Sequence, residues 1–389
     1  MNDDLADKLR HAVSERFESE QIPALARLVD LPSHTYAPAD VEAAALALDE
    51  LAEQTGLVTQ YVSAQDERFA DHRIYTPAGQ DDDARTPALV GHVDTVFPRT
   101  SGFLTYARED DVARGPGVLD MKSGLTVIVF ALRAVRAVTG SLPPVRFVCV
   151  TDEEVGSPTG RAVYATLSPH LTEALVFEHG RAEDRIITSR KGGGAFRIEA
   201  RGRAAHAGND HPNGVNAIHA LALVVPEIEA LTDYDRGITL NVGLFEGGTA
   251  KNTVPESASC IVDVRFVSAA DGEEVSRRIR EIIERPSPVA GATLTMSGGI
   301  SRPPMEKTPQ IDALRARYER SARAVGLGTG EAPRQGGFSD ANLLAAAGVP
   351  TIDGLGPAGA GAHSTEEYCE VRSLLARTQA LALFLADGQ

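Results

Sequence analysis

Potential metal ligands follow several apolar strands of the sequence. In an open α/β sheet the carboxyl ends of parallel strands meet along one edge, so side chains that follow such strands are expected to gather there. Histidine and carboxylate groups gathered in this way are typical of a metal site. The predicted strands and the residues that follow them are Ala88–Val90 with His92 and Asp94, Val145–Thr151 with Glu153 and Glu154, and Ala174–Phe177 with Glu178.

Two more candidates lie outside these three strand ends. The apolar segment Val349–Ile352 leads through a Gly-rich loop to His363, and Asp120 precedes a helix predicted over Gly124–Val138. Two histidines and three carboxylates suit a pair of Zn²⁺ ions with one carboxylate bridging them. Metal ions ~3.5–4 Å apart polarise a carbonyl group and supply hydroxide near neutral pH. The pattern therefore indicates metal-dependent hydrolysis.

The remaining carboxylates fit supporting roles in such a site. Glu153 and Glu154 are adjacent, so one can bind metal while the other accepts the proton of the attacking water. Asp94 follows His92 by two residues and lies on the same side of an extended segment. It is placed to hold the imidazole nitrogen that does not face the metal.

Each of these signals has a simpler explanation when it is taken alone. A histidine at a strand end is often a hydrogen-bonded loop residue. Adjacent acids after a strand often cap the next helix, and Asp120 could cap a helix that begins near Ser123. The combination, in this order along the chain, favours the metal site.

Composition limits the class of protein. The chain has 389 residues, of which 43% are hydrophobic and 24% charged, as expected for a globular protein with two domains. The net charge of -16 argues against a nucleic-acid partner, and no apolar run approaches the ~18 residues that span a membrane. Cys149, Cys260 and Cys369 are widely separated and are expected to be buried thiols. A cytoplasmic location is expected, because no signal-peptide apolar core is visible.

The order of predicted elements indicates two domains. Strands and helices alternate up to about residue 190, which predicts an α/β fold with a mixed, largely parallel sheet. From Lys191 the order becomes strand–helix–strand–strand–helix–strand, typical of a ferredoxin-like α+β sandwich. We therefore expect a catalytic domain over residues 1–190 and 302–389, with residues 191–301 inserted as a second domain.

Seven segments of the chain resemble the signatures of the M20 metallopeptidases. This family includes glutamate carboxypeptidase, acetylornithine deacetylase, succinyl-diaminopimelate desuccinylase and aminoacylase. The segments are Gly91–Pro98 (GHVDTVFP), Gly115–Lys122 (GPGVLDMK), Thr151–Ser157 (TDEEVGS), Ala205–Gly208 (AHAG), Asn252–Pro255 (NTVP), Asp263–Phe266 (DVRF) and Gly361–Ser364 (GAHS).

The resemblance implies a zinc-exopeptidase-like catalytic domain that binds two Zn²⁺ ions, for which Co²⁺ or Mn²⁺ can substitute. It implies a cis peptide bond between Asp120 and Met121. The implied roles are Asp120 as the bridging ligand, His92 and Glu178 on one metal, Glu154 and His363 on the other, Glu153 as general base and Asp94 as the partner of His92.

For the inserted domain, the resemblance implies a dimerisation and lid function in a homodimer. His206 would reach the active site of the neighbouring subunit and stabilise the oxyanion, while Asn252 and Arg265 would hold the substrate carboxylate. Simpler roles are open for two of these residues. Arg265 shares a strand face with Asp263 and could form a solvated ion pair, and His206 could only shape its own turn.

The expected substrate is a small peptide or an N-acyl amino acid. The wording of Gly91–Pro98 is closest to glutamate carboxypeptidases, so an exopeptidase that cleaves an amide bond next to a free carboxylate is favoured. The first alternative is an N-acyl amino acid deacylase of the acetylornithine or succinyl-diaminopimelate type. A less favoured alternative is a catalytically inactive binding protein that is stabilised by metal. Phe338 and His179 depart from the family pattern and leave the substrate open.

Overall fold

The computed structural model describes residues 3–387, which divide into two compact units. The sheet unit contains the described residues up to Ser189, Lys307–Gln335 and those from Ser339 onward. The inserted unit contains Arg190–Glu306 together with Gly336–Phe338. This last segment lies outside the predicted bounds of 191–301. The catalytic and dimerisation roles of the two units stay predictions.

The sheet unit is built from eight helices and ten strands within its described residues. Its helices are α1 Asp3–Arg16, α2 Ile22–Val29, α3 Pro38–Thr55, α4 Lys122–Thr139, α5 Gly160–Leu167, α8 Pro309–Ala324, α9 Ala341–Ala346 and α10 Val371–Ala386. Its strands are β1 Leu57–Val62, β2 His72–Pro77, β3 Thr86–His92, β4 Ala107–Glu109, β5 Val112–Arg114, β6 Arg146–Val150, β7 Leu171–Val176, β14 Thr351–Ile352, β15 Gly359–Ala360 and β16 Tyr368–Glu370.

Six of these strands form the main sheet, in the order β1-β2-β6-β3-β7-β14. Strands β6, β3, β7 and β14 are mutually parallel, whereas β1 and β2 add antiparallel pairings at one side. The predicted mixed, largely parallel sheet is therefore confirmed. Since β6, β3 and β7 are parallel neighbours, their carboxyl ends lie along one edge of the sheet.

The central strands are buried because helices cover the sheet, and a strand without a solvated face needs a continuous apolar run. All five residues of β6 are buried, as are the last five of β3. Helices α4 and α10 are buried along most of their length and pack against each other. The strand ends that carry the candidate ligands are thus fixed by a packed core.

The inserted unit contains two helices and six strands. They are β8 Gly192–Arg201, β9 Ala205–His206, α6 Ala217–Glu229, β10 Thr239–Gly247, β11 Thr253–Val254, β12 Ser257–Phe266, α7 Ala269–Glu284 and β13 Thr293–Arg302. Four strands form an antiparallel sheet in the order β10-β12-β8-β13, and β9 pairs with β11. Every second residue of β12 is buried, and these side chains join α6 and α7 in one apolar cluster. This is the predicted ferredoxin-like α+β arrangement.

Two expectations from composition are tested by the described residues. Cys149, Cys260 and Cys369 are free thiols and all three are buried, as predicted. Within residues 3–387, no helix combines the length and the apolar character that crossing a bilayer requires.

Candidate metal centre

Three candidate ligands come from neighbouring strand ends of the main sheet. His92 is the last residue of β3 and is 1% exposed, and Glu178 follows β7 and is 7% exposed. Glu154 follows β6 in a short 3₁₀ turn, Glu153–Val155. The parallel pairing of β3 with both β6 and β7 places these three side chains at the same edge of the sheet.

Asp120 reaches the same place from the loop before α4. The helix begins at Lys122 with Met121 as N-cap and no side-chain cap, so the capping alternative for Asp120 is wrong. The carboxylate instead lies between the two histidines, with Oδ1 3.3 Å from Nε2 of His92 and Oδ2 3.4 Å from Nε2 of His363. The Asp120–Met121 peptide bond is cis, as the resemblance implied.

A different acid near the candidate ligands, Asp152, does cap a helix. The carboxylate of Asp152 accepts hydrogen bonds from the backbone N–H groups of Thr159 and Gly160, where α5 begins. Asp152 therefore holds the start of that helix, and the two glutamates that follow it lie by the histidines.

Two glycines allow α4 to approach the strand ends this closely. A Cβ atom at Gly124 would lie 2.2 Å from the carbonyl oxygen of Phe177, and one at Gly91 would lie 2.7 Å from side-chain atoms of Met121 and Leu125. Real Cβ atoms do not approach other atoms at such distances. A larger residue at Gly124 would meet backbone and push the helix away from the sheet, whereas one at Gly91 would displace the side-chain ends of Met121 and Leu125.

The donor atoms form two sets that share Asp120. Nε2 of His92 lies 3.5 Å from Oε1 of Glu178, and Nε2 of His363 lies 3.0 Å from Oε2 of Glu154. Zinc ligands lie 2.0–2.2 Å from the ion, so tetrahedral geometry separates neighbouring donors by about 3.3–3.5 Å. Three of the four observed separations, at 3.3, 3.4 and 3.5 Å, match this spacing, and the separation of His363 and Glu154 is shorter at 3.0 Å. The two oxygens of Asp120 face different histidines, as expected of a carboxylate that bridges two ions.

Glu153 lies at the margin of this cluster. Donor atoms of His92, Glu153 and Glu178 lie within 4.8 Å of one another, as do those of His92, Asp120 and Glu154. The second of these groups links Glu154 to His92, but the 3.0 Å contact places Glu154 closer to His363. Glu154 therefore groups with His363, and Glu153 groups with His92 and Glu178.

The electrostatics of the cluster are those of acids and imidazoles buried together. Burial raises the pKa of Glu154 and that of Glu178 to about 7 in each case. Hydrogen bonds to Asp120 and Glu154 raise the pKa of His363 to about 10. Burial opposes the charge of His92, yet its contacts with Asp120, Asp94 and Glu178 raise its pKa well above the usual value. Divalent ions bound at this cluster would replace these protons, because metal ligands must be deprotonated.

Asp94 supports the cluster from behind. Its Oδ1 lies 3.4 Å from Nδ1 of His92, while its backbone oxygen is closer to that nitrogen, at 3.0 Å. The carboxylate also accepts hydrogen bonds from the backbone N–H of Glu153 and of Glu154, each at 3.2 Å, and from the hydroxyl of Thr35 at 2.7 Å. Asp94 therefore contacts the imidazole and both glutamates of the next strand end.

The two histidines differ in exposure. The side chain of His92 is 2% exposed and that of His363 is 57% exposed. His363 has a left-handed backbone conformation (φ 65°) after a Gly-rich loop. The cluster therefore opens to solvent on the side of His363.

His206 and Asn252 are brought together in the inserted unit. Strand β9 pairs with β11, and the N–H of Ala207 donates to the carbonyl of Asn252 at 2.9 Å. Nδ1 of His206 accepts hydrogen bonds from the N–H groups of Gly208 and Asn209, so a neutral imidazole carries its proton on Nε2. The side chain thus shapes its own turn and is exposed, with a donor that points away from that turn.

Arg265 lies on β12, away from that hairpin in sequence. Its guanidinium forms a two-point ion pair with Asp263, at 2.8 and 3.0 Å, as the shared strand face predicted. The ring of Phe338 stacks on it, 4.1 Å from the guanidinium carbon. Arg190 donates to the carbonyl of Gly337 at 3.1 Å and holds the Phe338 segment in place. Phe338 therefore packs on the residue that was predicted to bind the substrate carboxylate.

Sequence patterns missed Glu367. Its carboxylate is fully buried and accepts backbone hydrogen bonds from the loop that carries Asp120. The available signal was an acid four residues after His363, which by itself has no special meaning.

Known proteins resemble this chain in sequence. Residues 188–290 match the peptidase dimerisation domain of the M20 peptidases. The chain is 27% identical over 310 residues to carboxypeptidase G2 of Pseudomonas sp. (strain RS-16), covering 77% of this chain and 73% of the relative. It is 29% identical over 329 residues to succinyl-diaminopimelate desuccinylase of Gluconacetobacter diazotrophicus, covering 76% of this chain and 80% of the relative.

Solved structures show the same fold. Aminopeptidase PepT from Bacillus cereus superposes with a TM-score of 0.80 at 22% identity, covering 95% of this chain and 98% of that one. The YXEP protein of Bacillus subtilis, described as a dinuclear metal-binding peptidase of the M20 family, superposes with a TM-score of 0.70 at 14% identity, covering 96% and 99%. The chain is thus an enzyme of the metallopeptidase and amidohydrolase class. Its sequence is similar to members of the M20 group over about three quarters of the chain, and residues 188–290 match the dimerisation domain of these peptidases.

Proposed function

We propose that the protein is a two-zinc hydrolase that cleaves an amide bond next to a free carboxylate, as an exopeptidase of the glutamate carboxypeptidase kind. One observation carries this proposal. The two oxygens of Asp120 face His92 and His363, and each histidine has a further carboxylate within 3.5 Å. A single structural zinc ion would not need two such sets, nor Glu153 in addition.

His92, Asp120, Glu154, Glu178 and His363 would hold two metal ions, which when bound would polarise the scissile carbonyl and lower the pKa of the attacking water. Glu153 accepts the proton of that water and delivers it to the leaving amine. Asp94 holds the backbone of Glu153 and the ring of His92, so both groups keep their orientation during the proton transfer.

The inserted unit would supply the groups that recognise the substrate. Nε2–H of His206 is free of its own turn and suits a donor to the developing oxyanion. A planar guanidinium suits a substrate carboxylate, and the stacked Phe338 holds that of Arg265 in one orientation. Asn252 has an exposed side chain next to His206. Following the resemblance, we assign Asn252 and Arg265 to the carboxylate and His206 to the site of a partner subunit.

Deacylation of an N-acyl amino acid is the second candidate. The similarity to a succinyl-diaminopimelate desuccinylase, at 29% identity, favours it as much as the similarity to carboxypeptidase G2 favours the first. Both reactions break an amide bond next to a carboxylate, so they share the proposed chemistry and differ in the group beyond the scissile bond.

The test is a hydrolysis screen on one protein preparation in three forms: metal-free, reconstituted with Zn²⁺, and reconstituted with Co²⁺ or Mn²⁺. Substrates are dipeptides with C-terminal Glu, Asp or apolar residues, together with N-acetyl and N-succinyl amino acids. We expect two ions per chain and metal-dependent release of the carboxyl-terminal product. Matched substrates with an amidated carboxylate should react poorly.

The Glu153→Gln protein is the control for this screen, because it should keep both ions without the base. If the reconstituted protein hydrolyses no substrate faster than this variant does, the protein is a metal-binding protein and the proposal is wrong. A failure to bind any metal at neutral pH would remove the basis of the proposal altogether. Light scattering on the same samples tests the proposed homodimer.

A further inference from the structure

Glu367 is a fully buried carboxylate that accepts three backbone hydrogen bonds. Its Oε2 accepts from the N–H of Gly117 at 3.0 Å, and its Oε1 accepts from the N–H groups of Leu119 and Asp120 at 2.8 and 2.9 Å. Three backbone N–H groups that converge on one buried side chain make a firm contact, because a buried donor that loses its acceptor is costly.

The segment that Glu367 holds is the one that presents the bridging candidate. Residues 117–120 form turns between β5 and α4 and belong to neither element. Within residues 3–387, the backbone–backbone hydrogen bonds of this loop are local, such as that from the N–H of Lys122 to the carbonyl of Gly117 at 2.8 Å. Glu367 therefore provides long-range hydrogen bonds to the backbone of the Asp120 loop.

Glu367 also belongs to the segment that carries the second histidine. The N–H of Ser364 donates to the carbonyl of Gly361, and the N–H of Glu367 donates to the carbonyl of Ser364. His363 lies within this turn. Strand β16 begins at the next residue and pairs with β5, which leads into the Asp120 loop. One side chain thus joins the backbone of Asp120 to the turn of His363.

We propose that Glu367 is a positioning residue of the metal centre, which keeps the Asp120 carboxylate facing His92 and His363 at once. The proposal rests on the proposed function, since it assumes that metal binds at Asp120. Glu367 itself is assigned no contact with metal or substrate. Its loss would weaken both metal positions together, because the group that it holds is shared by them.

A purely structural role is the competing explanation. Buried N–H groups need acceptors in any protein, and their loss costs stability wherever they lie. The two explanations differ in what the substitution changes: a structural role lowers the melting temperature alone, whereas a positioning role lowers metal affinity in protein that is still folded.

The experiment compares Glu367→Gln with the parent chain. The amide keeps the size of the side chain but turns an NH₂ group toward at least one backbone N–H of the loop. We expect Zn²⁺ affinity, measured by competition with a chromophoric chelator, to fall about 10- to 100-fold, as is typical when a residue that supports a ligand is removed. Excess Zn²⁺ should restore the two-ion occupancy, and Co²⁺ absorption spectra should show weakening of both positions.

Glu319→Gln is the matched control. Glu319 is 7% exposed, lies in the same unit on α8, and accepts a backbone hydrogen bond from the N–H of Gly330 at 2.7 Å. It contacts none of the candidate ligands through its hydrogen bonds and ion pairs with Arg315 and Arg323. We expect this variant to lose thermal stability and to keep the parental Zn²⁺ affinity.

The outcomes separate the inference from the function on which it depends. If the parent binds no metal, the proposed function fails. If the parent binds two ions and Glu367→Gln binds them with equal affinity, the positioning role is overturned whatever the melting temperature. Should Glu367→Gln not fold, Glu367→Asp keeps the charge at a shorter reach and is expected to lose affinity in the same way. Parental affinity in Glu367→Asp, or its failure to fold as well, would leave only the structural role.

Discussion

Replacement of Asp94 by Asn tests how the strand ends of the sheet are joined. The carboxylate of Asp94 accepts the N–H of Glu153 on Oδ1 and the N–H of Glu154 on Oδ2, each at 3.2 Å. An amide of the same shape has one oxygen. Whichever way it turns, its NH₂ group faces one of these two N–H donors. The hydroxyl of Thr35 can rotate to adapt, but a backbone N–H cannot.

The expected loss of activity follows from this single unfavourable contact between two donors. A buried donor that loses its acceptor costs about 1–3 kcal/mol. If the turn of Glu153 and Glu154 moves to relieve the conflict, the same free energy is added to the activation barrier of the reaction. At 1.36 kcal/mol for each tenfold change, kcat/KM falls about 5- to 150-fold. Loss of the negative charge 3.4 Å from Nδ1 of His92 acts in the same direction.

The assay is kcat/KM for the best substrate of the hydrolysis screen, with saturating Zn²⁺, alongside the free energy of unfolding. The control is Asp49→Asn on α3. Asp49 is 5% exposed and accepts hydrogen bonds from the hydroxyls of Tyr75 and Tyr61, at 2.8 and 3.2 Å. Both variants should lose stability, but only Asp94→Asn should lose activity.

Thr35→Val provides a second comparison. It removes one donor from Asp94 and leaves both backbone contacts, so we expect a loss of activity below about tenfold. If Asp94→Asn kept the parental kcat/KM at a reduced stability, the carboxylate would be a fold contact only. The idea that it sets the position of Glu153 would then be refuted.

Four further predictions concern the candidate site and the residues proposed to recognise the substrate. Glu153→Gln should keep two ions and lose at least ~10²-fold in kcat, whereas Glu154→Gln should lose affinity for one ion, as counted by metal analysis. A His206→Ala chain refolded with a Glu153→Gln chain should recover about a quarter of parental activity, because half the dimers are mixed and each has one complete site. No recovery in confirmed heterodimers would argue against a role across the interface. Arg265→Lys should raise KM for substrates with a free carboxylate and not for their amides. Phe338→Ala should raise the same KM by about 2- to 5-fold through the lost cation–π contact of ~0.5–1 kcal/mol, and an equal effect on amidated substrates would contradict this.

Much of the fold was predictable because it depends on the pattern of apolar and polar residues that are close together in the sequence. Continuous apolar runs such as the one before His92 predicted strands of a largely parallel sheet, and the order of elements after Lys191 predicted the α+β sandwich of the inserted unit. Parallel strands must end at a common edge, so the proximity of His92, Glu154 and Glu178 followed from the pattern. The resemblance then implied the cis peptide bond at Asp120, which the structure contains.

Local sequence patterns did not predict all of the contacts that each side chain makes. The sequence allowed Asp120 to cap α4 or to bridge two ions, and only the structure shows its oxygens facing two histidines. The pairing of Arg265 with Asp263 was readable from their shared strand face, but the stacking of Phe338 on Arg265 was not. Phe338 lies 73 residues further along the chain, and local periodicity does not link the two positions.

Glu367 shows the physical reason for this division. Hydrophobic periodicity reports which face of an element is buried, and a few consecutive residues suffice to reveal it. The hydrogen bonds from Gly117, Leu119 and Asp120 to Glu367 span 250, 248 and 247 residues. Their donors are backbone N–H groups, which every residue except proline carries, so no residue type marks them. The sequence by itself determined which ligands the sheet edge would gather, and the tertiary structure alone decided what holds the Asp120 loop in place.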